Sequence, residues 1–256
     1  MAASFRLTYS TRMNRASNSS KRYGLARVLS KMGLASRTEA ARLILAGAVQ
    51  VNGKVIRDPE YPIRMGLDRI ETGKGGAEPR PFMAIMLNKP RGLVTTRSDE
   101  RQRATVYDCL PADMPWLSPV GRLDKASEGL LLFCNDPVWA AGITSPETGP
   151  DKTYHVQIDC VPEQTLLQRL RAGVETDIGF LSAKRIELLR QGEKYAWLEI
   201  VLDEGRNRQI RRLLESFDIG VLRLIRTAIG GLHLGDLPKG QWRQLTKHEL
   251  ALLNQA

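Results

Sequence analysis

The sequence predicts an α+β protein in two parts, a small helix-and-hairpin module followed by a larger sheet-rich domain. Three observations carry this. Helical spacing across residues 25–45 gives way to Asn52-Gly53 set between alternating apolar residues. A Gly- and Pro-rich stretch, Glu71 to Pro81, then breaks the pattern. Beyond it, short strand-like runs alternate with short helical ones up to the C-terminus. The expected division is a basic tail at 1–20, a small domain at 21–70, a linker at 71–81 and a large domain at 82–256.

The composition bounds the function. With 256 residues the chain has ample core for a large and a small domain. A net charge of +10 and a pI of about 9.8 suggest an anionic partner, nucleic acid before membrane. No run of about eighteen apolar residues is present, so no membrane span is expected. Cys109, Cys134 and Cys160 are widely spaced and read as reduced thiols of a cytosolic protein. His155, His233 and His248 have no ligand spacing around them, so no metal site is expected.

Taken in order, residues 1–20 are rich in Ser, Asn, Thr and Arg and lack acids, which suits a disordered basic tail. An organelle transit peptide has the same composition and is the alternative. Leu25, Val28, Leu29 and Met32 then share a helical face, stopped at Gly33. Ser36 with Glu39 forms a capping box for a second helix, which Gly47 ends. The run Val49 to Val55, centred on Asn52-Gly53, reads as a type I′ hairpin, and a strand near Asp68 to Ile70 closes a small sheet. Arg27, Lys31, Arg37, Arg42 and Lys54 lie on the polar sides, where cations on a rigid face displace counterions from phosphates. An ordinary solvated face is the alternative for any one of them.

In the large domain, Met83 to Leu87 reads as a strand running into the turn Asn88 to Gly92, and Val106 to Leu110 as a short helix. Gly121 to Asp136 then sets one carboxylate, Asp124, between Arg122 and Lys125 on a polar loop. That loop enters an apolar run, Leu130 to Cys134, which reads as a buried strand. A reactive group on a loop held by a rigid strand is a common way to build a site, and a solvated loop is the alternative. Val138 to Ile143 and Glu163 to Leu170 read as helices. Lys152 to Ile158, Ala183 to Leu189, Tyr195 to Leu202 and Val221 to Ile225 read as strands. Between the last two, Gly205 to Leu214 turns into a helix rich in arginine. Thr246 with Glu249 caps a C-terminal helix.

Gly-Arg-Leu-Asp at 121–124, with Glu-Gly-Leu-Leu-Leu and Asn-Asp after it, resembles the catalytic motif of RNA pseudouridine synthases in their RsuA-like branch. Lys152-Thr-Tyr-His-Val and Arg-Asn-Arg-Gln-Ile-Arg at 206–211 resemble two further motifs, and Asn88 to Gly92 a fourth. The helix pair and hairpin resemble the alpha-L RNA-binding domain of a small-subunit ribosomal protein. Together the resemblance runs from about Lys21 to the C-terminus.

The resemblance implies a mixed, mainly antiparallel sheet with flanking helices and a central cleft. It also implies isomerisation of uridine in ribosomal RNA, free or in pre-ribosomal particles, with the large subunit preferred. Residue by residue it makes Asp124 the nucleophile, Tyr154 the active-site tyrosine and Arg211 the ion-pair partner of Asp124. Lys89, Arg122, Asn207 and Arg208 join the RNA contacts. No cofactor is expected, nor a membrane partner, and the protein is expected to be a cytoplasmic monomer. A non-catalytic RNA-binding or ribosome-assembly factor is the alternative function. A carboxylate-dependent hydrolase needs a second acid, for which Glu128 is the nearby candidate.

Overall fold

The computed structural model describes residues 22–32, 34–35, 37–65, 67–72, 81–97, 99–177 and 179–253. The expected tail, the Gly33 stop, the Ser36 cap, the Lys31 side chain and most of the linker lie outside the described residues. Contacts divide the chain into two units, Met1–Phe82 with Asn135–Val138, and Met83–Cys134 with Trp139–Ala256. Among the described residues, no helix is long and apolar enough to cross a membrane.

The first unit contains β1 (Tyr23–Gly24), α1 (Leu25–Lys31), α2 (Arg37–Leu45), β2 (Val49–Val51), β3 (Lys54–Ile56), β4 (Pro62–Ile63) and β5 (Ile70–Thr72). Leu25, Val28 and Leu29 of α1 pack with Ala40 and Ile44 of α2 and with Val49 and Val51. The helical spacing seen in the sequence is therefore the core face. Asn52 and Gly53 take φ of 51° and 78°, the two positive values a type I′ turn demands. The Asn52 side chain accepts a hydrogen bond from the Arg69 amide at 2.8 Å and donates to Asp68 at 3.1 Å. Those bonds bring in β5, which completes a three-stranded sheet in the order β3-β2-β5.

The second unit runs β6 (Ala84–Lys89), a 3₁₀ turn (Val106–Cys109), β7 (Ser118–Val120), β8 (Glu128–Cys134), α3 (Pro137–Thr144), β9 (Lys152–Ile158) and α4 (Gln164–Ala172). It continues with β10 (Val174–Thr176), β11 (Gly179–Leu181), β12 (Arg185–Gln191), β13 (Ala196–Leu202) and α5 (Gln209–Glu215). The chain closes with β14 (Val221–Ile229), β15 (Leu232–His233), β16 (Trp242–Gln244) and α6 (Lys247–Leu253). The β10–β11 hairpin has no counterpart in the expectations from sequence, because three-residue strands are too short to display an alternation. The C-terminal cap is as expected: Thr246 Oγ1 accepts from the Glu249 amide at 3.2 Å, and the Glu249 carboxylate accepts from the Thr246 amide at 2.9 Å.

The main sheet is ordered β12-β13-β9-β14-β8-β6-β16, with β15 on β14 and β7 on β8. Its pairings are antiparallel except β14 with β8, a parallel ladder of two residue pairs, Ile225 with Glu128 and Arg226 with Gly129. One edge of β8 is thus shared, β14 holding its start and β7 its end from Leu132 to Cys134. Arg226 reaches into the gap between them and donates from Nε to the Leu130 carbonyl at 2.7 Å. On one side of this seam, Val156, Leu198, Ile200 and Leu224 pack with Ile210 and Leu214 of α5. On the other, Met86, Leu130 and Leu132 pack with Ile143, Ile229 and Leu253, and a further cluster joins Leu123, Leu87 and Leu131.

Gly129 has a specific reason to be glycine. Its φ is +101°, and a Cβ there would run into the Arg226 carbonyl oxygen and backbone nitrogen. Gly129→Ala should therefore destabilise the protein by roughly 2–4 kcal/mol, a sum of backbone strain and overpacking. A urea unfolding midpoint within experimental error of the parent chain would show that the seam tolerates a side chain.

Candidate active site

The loop between β7 and β8 is held by its backbone. Thr95 Oγ1 donates to the Leu123 carbonyl at 2.7 Å and accepts from the Leu123 amide at 3.3 Å. Lys89 Nζ donates to the carbonyls of Asp124 at 3.1 Å, Ser127 at 2.8 Å and Pro90 at 3.1 Å. The Gly92 amide takes the Lys125 carbonyl at 2.7 Å. Arg211 Nη2 takes the Ala126 carbonyl at 3.2 Å. All five consecutive carbonyls from Leu123 to Ser127 are therefore bound, most of them by groups distant in sequence. Such a loop has little freedom left, and the side chain it displays is Asp124.

Asp124 faces a cavity of about 420 Å³, within the ~300–1,000 Å³ usual for small-molecule sites. Tyr154 and Arg211 line the same cavity, so the three residues expected to do chemistry meet there. Tyr154 comes from β9, half-buried between two of the apolar cores. Arg211 comes from α5, whose Ile210, Leu213 and Leu214 are buried and fix the helix. Among the charged residues lining the cavity, Arg122, Lys152, Arg206, Arg208, Arg211 and Arg226 surround one carboxylate, Asp124.

The expected close ion pair between Asp124 and Arg211 is not formed. Among the described residues, no hydrogen bond or salt bridge reaches the Asp124 carboxylate. Arg211 is turned instead to backbone, through Nη2 to Ala126 and Nη1 to the Val221 carbonyl at 3.4 Å, with Nε buried and unpartnered. The loop's own carbonyl has taken the donor that the carboxylate was expected to use. The charges still act on one another. Burial and the neighbouring Arg208 and Arg91 push the Arg211 guanidinium below its ordinary pKa, and Asp124 opposes them.

Lys89 also needs correction. It was expected among the RNA contacts, but it is 0% exposed and all three of its donors are bound to carbonyls. It holds the loop from beneath. Burial lowers the ammonium to a pKa of about 8, against the opposing pull of Asp124 and Glu128.

Of the other expected contacts in this unit, Arg122, Asn207 and Arg208 are exposed and line the cavity. Arg208 is the N-cap of α5, in a left-handed conformation at φ 53°. In the first unit, Arg27, Arg37, Arg42 and Lys54 are exposed. Arg27 lies 5.3 Å over the Tyr23 ring, and Arg42 is 3.7 Å from Glu39.

Glu128 is no partner acid for Asp124, because it lies off the cavity wall, 3% exposed, bound by Arg223 at 3.1 Å and by Lys239. Burial pushes its carboxyl up, but the hydrogen bonds from Arg223 and Lys239 outweigh that and hold it below its ordinary value. Among the described residues, no group of three or more His, Cys, Asp or Glu is placed to hold a metal ion.

Four residues at the site escaped the reading of the sequence. Lys152 stands two positions before Tyr154, so the period-two rule already puts both on one strand face. Arg226 is a cation inside an apolar strand. Gln209, 2% exposed, ties the loop before α5 together by donating to Ser182 at 2.9 Å and Glu204 at 2.8 Å and accepting from the Arg206 amide at 3.2 Å. Thr95 pins the Asp124 loop and has no sequence signal at all.

Comparison with known proteins identifies the family of both parts of the chain. Residues 83–216 match the RNA pseudouridylate synthase family, and residues 24–68 match the S4 domain. An uncharacterized RNA pseudouridine synthase from Aquifex aeolicus is 37% identical over 229 residues, 89% of this chain and 92% of the relative. Ribosomal large subunit pseudouridine synthase B from Bacillus subtilis is 34% identical over 231 residues, 90% of this chain and 94% of the relative. A solved pseudouridylate synthase superposes with a TM-score of 0.65 at 26% identity, covering 90% of this chain and 99% of that one.

The Lys89 anchor has a measurable pH signature. Its folded pKa of about 8 lies below the ordinary 10.5, so between those values the unfolded chain binds more protons. The parent chain should gain stability over Lys89→Met as pH rises through that window, by up to roughly 3 kcal/mol. Urea midpoints for both chains at pH 7.5 and pH 10 check this, and a constant difference between them contradicts it.

Proposed function

The chain belongs to the RNA pseudouridine synthase family, in its RsuA-like branch with an S4 domain, and we propose on that footing that it isomerises uridine in large-subunit ribosomal RNA. The observation that carries the site assignment is Asp124, an unpartnered carboxylate on a fully anchored loop, in a cavity whose other charged lining residues are all cations. The names of the Bacillus subtilis and Haemophilus influenzae relatives, both ribosomal large subunit pseudouridine synthase B, support the substrate.

In this reading the target nucleotide leaves its stack and enters the cavity, since no side chain reaches it within a helix. The Asp124 carboxylate attacks the nucleotide, the bond from N1 to the anomeric carbon breaks, and the base turns. A bond from C5 to the same carbon forms, the bond between Asp124 and the nucleotide breaks, the C5 proton leaves, and N1 gains one. The product has the atoms of the substrate, so the isomerisation balances without a redox cofactor or a donor group. Tyr154 stacks against the extruded base and its hydroxyl serves as a proton relay. Arg211 lines the same cavity and supplies a positive field to the reacting groups as water is excluded. Its bond to the Ala126 carbonyl also fixes the loop, so one side chain serves position and charge together.

The remaining polar residues act on the RNA backbone, the cations by charge and Asn207 by hydrogen bonding. Arg27, Arg37, Arg42 and Lys54 of the first unit, with Arg122, Asn207 and Arg208 at the cavity, meet phosphates and hold the RNA without reading its sequence. In this division residues 21–70 bind RNA and residues 82–256 carry the chemistry.

Asp124→Asn should abolish pseudouridine formation on an unmodified large-subunit ribosomal RNA transcript while leaving RNA affinity within about threefold, because a single neutral amide adds no lost phosphate contact. Modified uridines mapped by chemical probing decide it, and surviving modification ends the nucleophile assignment. Arg211→Ala should lower kcat by roughly 10²–10⁴ and affinity much less. Equal losses in kcat and affinity would reduce Arg211 to an RNA contact.

A further inference from the structure

Two strands deliver a second pair of cations to the cavity wall. On β9, Lys152 and Tyr154 are two residues apart and line the cavity from one face. On β14, Leu224 and Arg226 do the same, and Tyr154 lies beside Arg226 in the ladder. Neither cation has an acid bound to it. Arg226 is 5% exposed and donates from Nε to Leu130, while its Nη2 is buried with no hydrogen-bond partner. The charged neighbours of Lys152 are Arg226, Asp151 and Asp203, and Asp151 is already bound by Lys184 at 2.7 Å. Burial and Arg226 lower the Lys152 pKa, so the two cations oppose each other.

A buried guanidinium nitrogen with no partner is costly, and like charges brought together on a cavity wall add to the cost. The seam fixes the arrangement, because Arg226 is paired with Gly129 across β14 and β8, so close that a Cβ on Gly129 would meet the Arg226 backbone. A carbonyl oxygen arriving there would satisfy one donor but leave both charges uncompensated. An anion with several acceptor oxygens satisfies both.

We propose that Lys152 and Arg226 form an anion subsite inside the cavity that takes the phosphodiester next to the extruded uridine. The subsite rests on the isomerase reading for the identity of the nucleotide. It sets the depth of the nucleotide by its backbone, leaving Asp124 and Tyr154 to meet sugar and base. Lys152 and Arg226 act as positioning residues.

The probe is an unmodified large-subunit ribosomal RNA transcript, with affinity measured by filter binding across a salt series and turnover measured separately. Lys152→Met should weaken binding about tenfold at low salt and reduce the slope of log affinity against log salt by about 0.7, the share of one lost phosphate contact. Arg226→Lys, which keeps the charge, should stay within a few-fold of the parent in affinity, whereas Arg226→Met should match Lys152→Met. Should Arg226→Met fail to fold, Lys152→Met and Arg226→Lys decide alone. An unchanged salt slope in Lys152→Met overturns the subsite, as does a loss confined to kcat, which would place the pair against the uracil ring. If the parent chain binds the transcript but makes no pseudouridine, the isomerase reading fails, and the salt slopes still judge the subsite.

Discussion

The geometry of the Asp124 loop depends on one ammonium group. Lys89 sits at the end of β6 with its three protons spent on the carbonyls of Pro90, Asp124 and Ser127. Burying a charge is costly unless it is fully hydrogen-bonded, and here the loop's own backbone supplies the bonds. The carbonyls gain as much as the lysine does, since a tight polar loop carries acceptors that no strand or helix would satisfy. Thr95, Gly92 and Arg211 complete the set, and Asp124 is left as the loop's free carboxylate. Preorganisation of this kind places a reactive group without asking that group to take part in holding itself.

The sheet explains why the cavity lies where it does. Antiparallel neighbours extend on both sides of the seam, but at β14 and β8 the pairing is parallel and lasts for two residue pairs. Where a ladder is that short the strands part, and the loop entering β8 faces the strands β9 and β14 across the opening. Gly129 and Arg226 are the contact point. The absence of a side chain at one lets the backbone of the other approach, and the guanidinium then fills the gap in the β8 edge. The short pairing thereby brings Arg226 to the cavity wall, where it is one of six lining cations.

Much of this was legible in the sequence, for reasons that can be stated. The strand Lys152–Ile158, the Asn52-Gly53 turn and the Thr246–Glu249 cap are local, each fixed by residues within a few positions of one another. The motif around Asp124, Tyr154 and Arg211 was readable as residue types in a familiar order, and the cavity gathers all three. What could not be read was the direction in which long side chains turn. A lysine beside a Pro-Arg-Gly turn has every appearance of a surface cation, yet Lys89 is buried because the loop needs its protons. Arg211 was expected to grip Asp124 and instead grips Ala126, a choice between two acceptors that only the folded loop decides. Arg226 looked like the end of a strand, and its role comes from a parallel pairing that joins residues nearly a hundred positions apart.

The distances along the chain carry a consequence for how the protein matures. The groups that secure the loop lie 28, 35 and 85 positions from the residues they hold. Contacts of such span cost loop-closure entropy first and form after local structure. A newly made chain whose sheet has not yet closed therefore leaves Asp124 on a slack segment, with the carbonyls around it still unbound. Completed folding of the sheet and ordering of the Asp124 loop thus arrive together.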